Sequence, residues 1–300
     1  RRGSDPPIGA DPVTVRAALA EGSSALEGSG SGSPFLDAAL LLGHTLGVGR
    51  DRVLASMPDE LGASALEAYQ AFVARRSSGE PIAYIVGYKE FYGRRYTVDP
   101  RVLVPRPDTE LLVEVALSLL PPVSRTRGGS ARVRCHDAFT GSGCIGVTLA
   151  AERPDVEVSL SDASPAALEV ARANARELLG RELDARLGDV LSAAVGPFDL
   201  IVANPPYVTT DLTDCLLASG DGEPRMALDG GELGLDIYPA LAAQAYALLA
   251  DGGSLAVEIG EEQGRAVGAI LEAAGFGEVR VHVDLAGSDR VVSGGRHAVR

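Results

Sequence analysis

The stretch HDAFTGSGCIG, residues 136–146, decides the fold class of this chain. It overlaps the end of a largely apolar segment, residues 131–139, that is typical of a strand, and it leads into IGVTLAAE, which is typical of a helix. Glycines at such a junction allow a tight turn between a buried strand and a helix. A strand, a glycine loop and a helix in this order predict a doubly wound α/β domain with a mainly parallel sheet.

The chain after residue 106 continues this alternation. Further strands are predicted at residues 156–162, 198–204, 253–260, 279–285 and 290–295. Between the first two of these, Ser164 and Pro165 are typical of a helix start, and Gly180 is typical of a helix end. Only AGSD separates the last two strands, so we expect them to form an antiparallel hairpin at an edge of the sheet.

The chain before residue 106 is organised differently. Residues 11–78 contain helical patterns and predict a small all-α domain. Residues 79–105 predict a linker in which aromatic and β-branched residues alternate with polar ones, as expected for a β-hairpin over residues 82–104. Residues 106–300 then form the predicted α/β domain.

Composition restricts the class of protein. Of the 300 residues, 46% are hydrophobic and 23% are charged, which predicts a soluble globular protein, and no apolar run is long enough to span a membrane. The opening RRGSDPPIGADP has no apolar core, so it is not expected to be a signal peptide. The net charge of −14 argues against a general nucleic-acid-binding surface. Three cysteines and four histidines show no zinc-site spacing, which favours metal-free chemistry in a reducing compartment.

The glycine loop is compatible with two cofactors. Gly141, Gly143 and Gly146 fit the G-x-G-x-x-G pattern of dinucleotide sites, which permits an NAD-dependent oxidoreductase. The same loop also reads D-x-F-x-G-x-G from Asp137 to Gly143, close to the loop of S-adenosylmethionine sites. A carboxylate at Asp137 suits a ligand that carries an ammonium and a sulfonium, whereas it would repel a pyrophosphate. This position therefore favours S-adenosylmethionine.

Two further aspartates are predicted at the ends of neighbouring strands. Asp162 ends the second strand, where it can accept hydrogen bonds from ribose hydroxyls, and Asp189 lies in RLGDV, where it can accept from an adenine amino group. Taken singly, each aspartate is more often a helix cap or a turn residue. Three aspartates at three successive strand ends favour a ligand site at that edge.

The segment Asn204-Pro205-Pro206-Tyr207 follows the strand at 198–204 and must be stiff, because two prolines in succession fix φ and remove two backbone donors. The simplest interpretation is a rigid turn. If the strand lies beside strand 131–139, this segment meets the glycine loop. The side-chain oxygen of Asn204 and the carbonyl of Pro205 could then hold a planar nitrogen for methylation, with Tyr207 stacked on the substrate.

Six stretches resemble the HemK/PrmC family of protein-(glutamine-N5) methyltransferases. They are GEPIAYIVGYKEFYG (79–93), VLVPRPDTELLVE (102–114), FTGSGCIG (139–146), NPPYV (204–208), EPRMALDGGELGLDIY (223–238) and DLAGSDRVV (284–292). The resemblance implies a class I, seven-stranded, S-adenosylmethionine-dependent methyltransferase. Its substrate would be the N5 amide of the GGQ glutamine of peptide chain release factors. It also implies a cytoplasmic, monomeric protein whose five-helix N-terminal domain docks the release factor.

The resemblance also implies the residues of the site. Residues 106–110 would form a wall near the cofactor. Catalysis would use Asn204, Pro205 and Tyr207, and substrate binding would use the same residues with Pro206. The cofactor would be bound by Asp137, Phe139, Thr140, Gly141, Ser142, Gly143, Asp162, Asp189, Val190 and Asn204.

One residue departs from the family pattern. Family members carry glycine where this chain has Phe139, and phenylalanine adopts positive φ only at a cost. Either the loop adjusts and the ring packs away, or cofactor affinity is reduced. His136, at a position that is usually apolar, is a second irregularity. Phe139 keeps open a release-factor-binding protein with a weakened cofactor site. An adenine-N6 nucleic-acid methyltransferase also stays open beside the oxidoreductase, because NPPY occurs in that class as well.

Overall fold

The computed structural model describes residues 13–122, 132–220 and 222–297. Residues 11 and 12 of the predicted helical domain, residue 131 of the first predicted strand and the opening segment 1–12 lie outside this part of the chain. The chain divides into two compact units, one reaching to Val86 and including Ser219–Gly222, the other comprising Gly87–Ala218 and the chain from Glu223 onward.

The first unit contains five helices and no strand within its described residues. Its helices are α1 (Val15–Ala25), α2 (Pro34–Leu46), α3 (Arg50–Ala55), α4 (Ala63–Ser77) and α5 (Ile82–Val86). Thr14 caps α1 by accepting a hydrogen bond from the backbone N–H of Ala17, and Gly47 ends α2 in the left-handed conformation. Apolar residues from these helices, among them Leu19, Leu42 and Tyr69, form a core of their own.

The predicted hairpin over residues 82–104 was too long. Residues 82–86 form α5, in which the Pro81 carbonyl accepts from the backbone N–H groups of Tyr84 and Ile85. The hairpin consists only of β1 (Tyr88–Phe91) and β2 (Arg94–Thr97), joined at Tyr92 and Gly93, which both have positive φ. The three consecutive residues 83–85 are buried, which a helical turn permits and a one-sided strand does not.

The second unit is built on one mainly parallel sheet of seven strands within the described residues. The strands are β3 (Val133–Ala138), β4 (Val156–Asp162), β5 (Asp184–Leu187), β6 (Phe198–Ala203), β7 (Leu249–Glu258), β8 (Gly277–Val283) and β9 (Asp289–Gly295). They lie in the order β5-β4-β3-β6-β7-β9-β8, and only the pairs that involve β9 are antiparallel. The expected terminal hairpin, with β8 at the edge, is confirmed.

Helices connect and cover these strands. They are α6 (Glu110–Leu119), α7 (Cys144–Glu152), α8 (Pro165–Leu179), α9 (Thr210–Ala218), α10 (Arg225–Leu228), α11 (Tyr238–Leu248) and α12 (Gly264–Ala273), with a 3-10 turn at Pro107–Thr109. The predicted ends of α8 are confirmed, since Ser164 Oγ accepts from the Ala167 N–H and Gly180 has a φ of 65°. No described helix is long and apolar enough to cross a membrane.

Strand β5 was missing from the predicted strands. It is four residues long, lies at the sheet edge and has mostly exposed side chains, so it carries no apolar pattern. Strand β3 has parallel neighbours on both sides, with Ala138 opposite Ser161 on β4 and opposite Ala203 on β6. The chain therefore reverses its direction of winding beside β3, where ligands bind in sheets of this type.

Candidate active site

A cleft of about 320 Å³ opens at the carboxyl ends of β3, β4 and β6, a volume typical of small-molecule sites. Its walls come from the glycine loop, from the segments after three other strands and from the segment before α6. The lining includes Phe139, Thr140, Gly141, Ser142, Asp162, Asp189, Asn204, Pro206, Arg106 and Thr109. Eight of the predicted site residues thus line one cleft, whereas Asp137, Gly143, Val190, Pro205 and Tyr207 lie outside its lining.

Asp137 stabilises the glycine loop through hydrogen bonds. It is fully buried, and its Oδ2 accepts hydrogen bonds from Thr140 Oγ1 at 2.6 Å and from the Gly146 N–H at 2.9 Å. Burial raises the pKa of this carboxyl to about 7. Its Oδ1 is buried without a hydrogen-bond partner among the described residues. Asp137 is not part of the lining, so a direct contact with the cofactor stays a prediction.

Asp162 connects the glycine loop to the end of β4. Its Oδ2 accepts from the Gly141 N–H at 2.9 Å and its Oδ1 from the Ser164 N–H at 2.8 Å, while burial raises the pKa of the carboxyl. Asp189 lines the cleft after β5, whereas its neighbour Val190 is buried outside the lining with a φ of 52°. Two carboxylates therefore face the cleft, where they can accept from hydroxyl and amino groups.

Phe139 has a left-handed backbone conformation, which glycine would adopt without steric cost. Its φ is 58°, a left-handed value that costs a residue with a Cβ roughly 1–2 kcal/mol. The ring is half-buried against a cluster that includes Val190 and Leu191, and it also lines the cleft. The loop has therefore not moved to a conformation that phenylalanine prefers, and the ring lies between the core and the site.

His136 is a core residue and takes no part in the site. It is buried, its two ring nitrogens pair with Ser159 Oγ at 2.8 Å and Ser161 Oγ at 2.9 Å, and its ring stacks on Phe198. Burial lowers the pKa of the imidazole to about 4. The two serines satisfy a neutral histidine in a largely buried strand.

The four residues after β6 divide into two pairs. Asn204 and Pro206 line the cleft, and Asn204 Nδ2 donates to Thr109 Oγ1 at 3.5 Å. Pro205 is buried, and Tyr207 donates from its hydroxyl to Glu258 Oε1 at 3.1 Å; neither belongs to the lining. The roles predicted for the Pro205 carbonyl and for stacking by Tyr207 therefore stay predictions.

Two carboxylates near the cleft were missed by sequence reasoning. Glu258 ends β7 and is buried, and its only sequence signal is a charge in the apolar run LAVEIG. Glu223 is also buried; it pairs with the guanidinium of Arg106 and accepts from the Val104 N–H at 2.8 Å. Of the wall expected over residues 106–110, Arg106 and Thr109 line the cleft.

The residues of the cleft fit S-adenosylmethionine. The glycine loop exposes Gly141 without a Cβ, Asp162 and Asp189 offer acceptors for ribose and amino groups, and the buried Oδ1 of Asp137 is left without a described partner near the loop. A ligand that carries hydroxyl and amino groups is favoured in such surroundings. No described group of three or more His, Cys, Asp or Glu side chains could hold a metal ion.

Two family comparisons match separate parts of the chain. Residues 17–87 match the PrmC N-terminal domain, and residues 119–219 match the methyltransferase small domain. The release factor glutamine methyltransferase of Burkholderia pseudomallei is 43% identical, with coverage of 87% of this chain and 91% of that protein. The chain belongs to the release factor glutamine methyltransferase family.

A second relative agrees with membership of this family, and a solved structure shows the same fold. The release factor glutamine methyltransferase of Moorella thermoacetica is 41% identical, with coverage of 93% of this chain and 97% of that protein. The fold is similar to that of a methyltransferase from Pyrococcus furiosus, with a TM-score of 0.50, 17% identity and coverage of 76% of this chain and 98% of that chain. The expected methyltransferase sheet is confirmed.

Proposed function

We propose that this protein transfers a methyl group from S-adenosylmethionine to the N5 amide nitrogen of the GGQ glutamine in peptide chain release factors. Membership of the family named for release factor glutamine methylation supports the reaction and the substrate. One observation carries the assignment within this chain: Asn204 and Pro206 line the same cleft as the glycine loop and Asp162. A group held at Asn204 would lie beside a ligand held by the loop.

The chemistry requires an acceptor rather than a strong base. The nitrogen of a carboxamide is a poor nucleophile, because its lone pair is delocalised into the carbonyl group. Asn204 Oδ1 and the Pro205 carbonyl would accept hydrogen bonds from the two N–H groups of this nitrogen and hold it in line with the methyl group for attack. Both bonds strengthen as positive charge develops on the nitrogen, so they stabilise the transition state more than the ground state. Bound S-adenosylmethionine would supply the electrophilic methyl group and leave as S-adenosylhomocysteine, and the methylated nitrogen would lose one proton to water.

The cofactor would be held by the loop from Phe139 to Gly143 and by the carboxylates of Asp162 and Asp189. Asp137 supports this loop through Thr140 and Gly146.

The two units would divide the work of recognition and chemistry. The helical domain, residues 11–78, would dock the release factor, the linker 79–105 would connect it, and residues 106–300 would carry the reaction. A single GGQ loop offers little surface, so affinity for the substrate must come from contacts elsewhere. We place the protein in the cytoplasm as a monomer, without a nucleic-acid partner, in keeping with the net charge of −14.

Phe139 favours a second candidate function. Its strained backbone and its ring at the cleft would weaken cofactor binding, which would leave a release-factor-binding protein with little activity. An adenine-N6 methyltransferase has no comparable support from the described residues.

One experiment separates these functions. The purified protein is incubated with S-adenosylmethionine carrying a labelled methyl group and with a release factor, and the product is mapped by mass spectrometry. We expect one methyl group on the GGQ glutamine. Calorimetry with S-adenosylmethionine is run in parallel, and release-factor binding without cofactor binding would support the second candidate. Methylation of duplex DNA adenine with an unmodified release factor would contradict both.

A further inference from the structure

Gln263 is a half-buried glutamine outside the cleft lining that the proposed function does not use. Its side chain makes hydrogen bonds to three separate segments of the chain. Oε1 accepts from the Gly260 N–H at 2.9 Å, and Nε2 donates to the Tyr207 carbonyl at 3.1 Å and to the Gly234 carbonyl at 3.2 Å. A third carbonyl, that of Leu233, lies 3.4 Å from Nε2. One carboxamide therefore joins the segment after β6, the segment before α11 and the turn that follows β7.

The chemistry of these partners fixes the orientation of the Gln263 carboxamide. A backbone N–H only donates and a carbonyl oxygen only accepts, so the Gln263 oxygen must face Gly260 and the nitrogen must face the carbonyls. The backbone of Gln263 is also held, because its N–H donates to the Gly260 carbonyl at 3.0 Å and its carbonyl accepts from the Val267 N–H at 2.9 Å. The donor that meets the Tyr207 carbonyl is thus anchored to the turn after β7 and to the start of α12.

The segment Asn204–Tyr207 cannot fix its own middle through backbone donors. Its two prolines have no N–H, and their rings restrict φ. The direction of the Pro205 carbonyl therefore depends on where the two ends of this stiff segment are held. The sheet fixes the first end, since Ala203 at the end of β6 pairs with Ala138 on β3.

The second end is held at Tyr207 and the residue after it. The Tyr207 carbonyl accepts from Gln263, and the Tyr207 hydroxyl donates to Glu258 Oε1 at 3.1 Å. The carbonyl of Val208 accepts from the Gly230 N–H at 2.8 Å. Among these contacts, the one from Gln263 acts on the main chain of Tyr207, two residues from the carbonyl that is predicted to meet the substrate.

Gly234 shows how closely this second end is packed. Its φ is 67°, and a Cβ at this position would overlap the Tyr207 carbonyl oxygen and lie 2.7 Å from Gln263 Nε2. A Cβ on Gly230 would likewise lie 2.6 Å from the Pro206 carbonyl oxygen. Only glycine permits such a close approach of one backbone segment to another. Close packing limits the access of water to these carbonyls, so Gln263 supplies a donor that water would otherwise have to supply.

We propose that Gln263 is a positioning residue for methyl transfer: by holding the Tyr207 carbonyl, it sets how the acceptors earlier in the segment meet the substrate nitrogen. Those acceptors are Asn204 Oδ1 and the Pro205 carbonyl, so the assignment rests on the proposed function. Because Gln263 lies outside the cleft lining, it acts on the geometry of the reaction and should affect kcat rather than cofactor affinity.

Hydrogen exchange measured by mass spectrometry tests the anchor without methylation. Gln263→Met removes the donor at similar side-chain length, and Gln263→Glu keeps an acceptor for the Gly260 N–H but turns a carboxylate oxygen toward two carbonyls. We expect the amides of residues 204–210 to exchange roughly three- to tenfold faster in Gln263→Met, and faster still in Gln263→Glu. A peptide from β7 should exchange as in the wild type.

Glu262→Gln, at the exposed neighbouring position, is the control and should change neither peptide. Wild-type exchange of residues 204–210 in both Gln263 variants would overturn the inference, whether or not the protein methylates a release factor. Equal acceleration in β7 would show a general loss of structure and would overturn it as well.

Kinetics test the consequence for the reaction. Gln263→Met should lower kcat roughly three- to tenfold, as expected for one hydrogen bond, with the KM for the release factor and the affinity for S-adenosylmethionine unchanged. In the Asn204→Ala background the same change should have a smaller effect, because one of the two acceptors that Gln263 positions is absent. Equal losses in both backgrounds, or a loss confined to KM, would contradict the positioning role. A wild type that methylates no release factor, with the exchange pattern intact, would instead contradict the proposed function.

Discussion

The hydroxyl of Thr140 donates a 2.6 Å hydrogen bond to Oδ2 of Asp137, three residues earlier in the chain. This bond closes the turn that leaves β3, and Phe139 is held inside it with a φ of 58°. The turn imposes this conformation because Asp137 also accepts from the Gly146 N–H at the start of α7. The hydrogen bonds that Asp137 accepts from Thr140 and Gly146 offset the free-energy cost of the left-handed conformation at Phe139.

Two substitutions of Phe139 separate the effect of its ring from that of its backbone. Phe139→Gly and Phe139→Ala both remove the ring, but only glycine relieves the left-handed conformation. We expect Phe139→Gly to be more stable than Phe139→Ala by about 1 kcal/mol in denaturant unfolding. We also expect both variants to bind S-adenosylmethionine at least about fivefold more tightly than the wild type in calorimetry, since both remove the phenylalanine ring from the cleft. Equal stabilities would contradict the strain, and unchanged affinities would show that the ring does not obstruct the cofactor.

Asn204→Ala tests the acceptor at the centre of the proposed reaction. It should lower kcat about 10²–10³-fold, the usual effect of losing one preorganised hydrogen bond to a charged transition state, and should change cofactor affinity little. Single-turnover kinetics and calorimetry measure the two effects. Thr209→Ala, two residues beyond Tyr207 and outside the cleft lining, is the matched control. Activity within a few-fold of the wild type would show that Asn204 has no such role.

Exposed apolar side chains on the helical unit test its docking role. Phe35 on α2 and Leu54 on α3 are 46% and 38% exposed. Replacing both by serine should raise the KM for a full-length release factor several-fold and leave kcat unchanged, because apolar contacts at an interface contribute affinity rather than chemistry. Leu285→Ser, at a fully exposed leucine of the other unit, is the control and should change neither constant. An unaltered KM in the double variant would place the docking surface elsewhere.

His136 predicts a pH dependence of stability. Its pKa is about 4 in the folded protein against 6.5 for an ordinary histidine, so the unfolded chain binds its proton first and stability falls as the pH decreases from 6.5 to about 4. In His136→Leu this loss is absent. The difference in unfolding free energy between the two proteins should therefore change by on the order of 3 kcal/mol across that range.

Asp137 acts in the opposite direction. Its folded pKa of about 7 lies above the ordinary 3.8, so its contribution to stability is lost as the pH rises toward 7. This contribution is present in both the wild type and His136→Leu and cancels in their difference. Urea unfolding of both proteins at several pH values measures the difference in their unfolding free energies. A difference that is constant with pH would show that His136 is not buried in the neutral form.

Local patterns in the sequence determined most of the α/β architecture. Strands β6 and β7 contain short continuous apolar runs, and β4 alternates apolar with polar residues, so the strands were visible in the sequence, and the ends of α8 followed from Ser164 and Gly180. The position of the site followed as well, since the carboxyl ends of parallel strands share one edge of a sheet. The predicted pairing of β3 with β6, which brings Asn204 to the glycine loop, is confirmed by their register.

Other features had no local signal. Strand β5 is recognisable only by its pairing with β4, and residues 82–86 have a pattern that suits a strand as well as the helical turn that they form. Phe139 retains a positive φ because bonds to Asp137 hold the turn around it, which no property of phenylalanine predicts.

The hydrogen bonds behind the cleft were decided by tertiary structure alone. Thr109 and Asn204 are 95 positions apart in the chain, and Tyr207 and Glu258 are 51 apart. Sequence predicted a stiff segment at Asn204, but Thr109 is brought to Asn204 by the turn before α6, and Glu258 is brought to Tyr207 by the pairing of β6 with β7. The charge state of Glu258 likewise depends on burial, which only the folded chain creates.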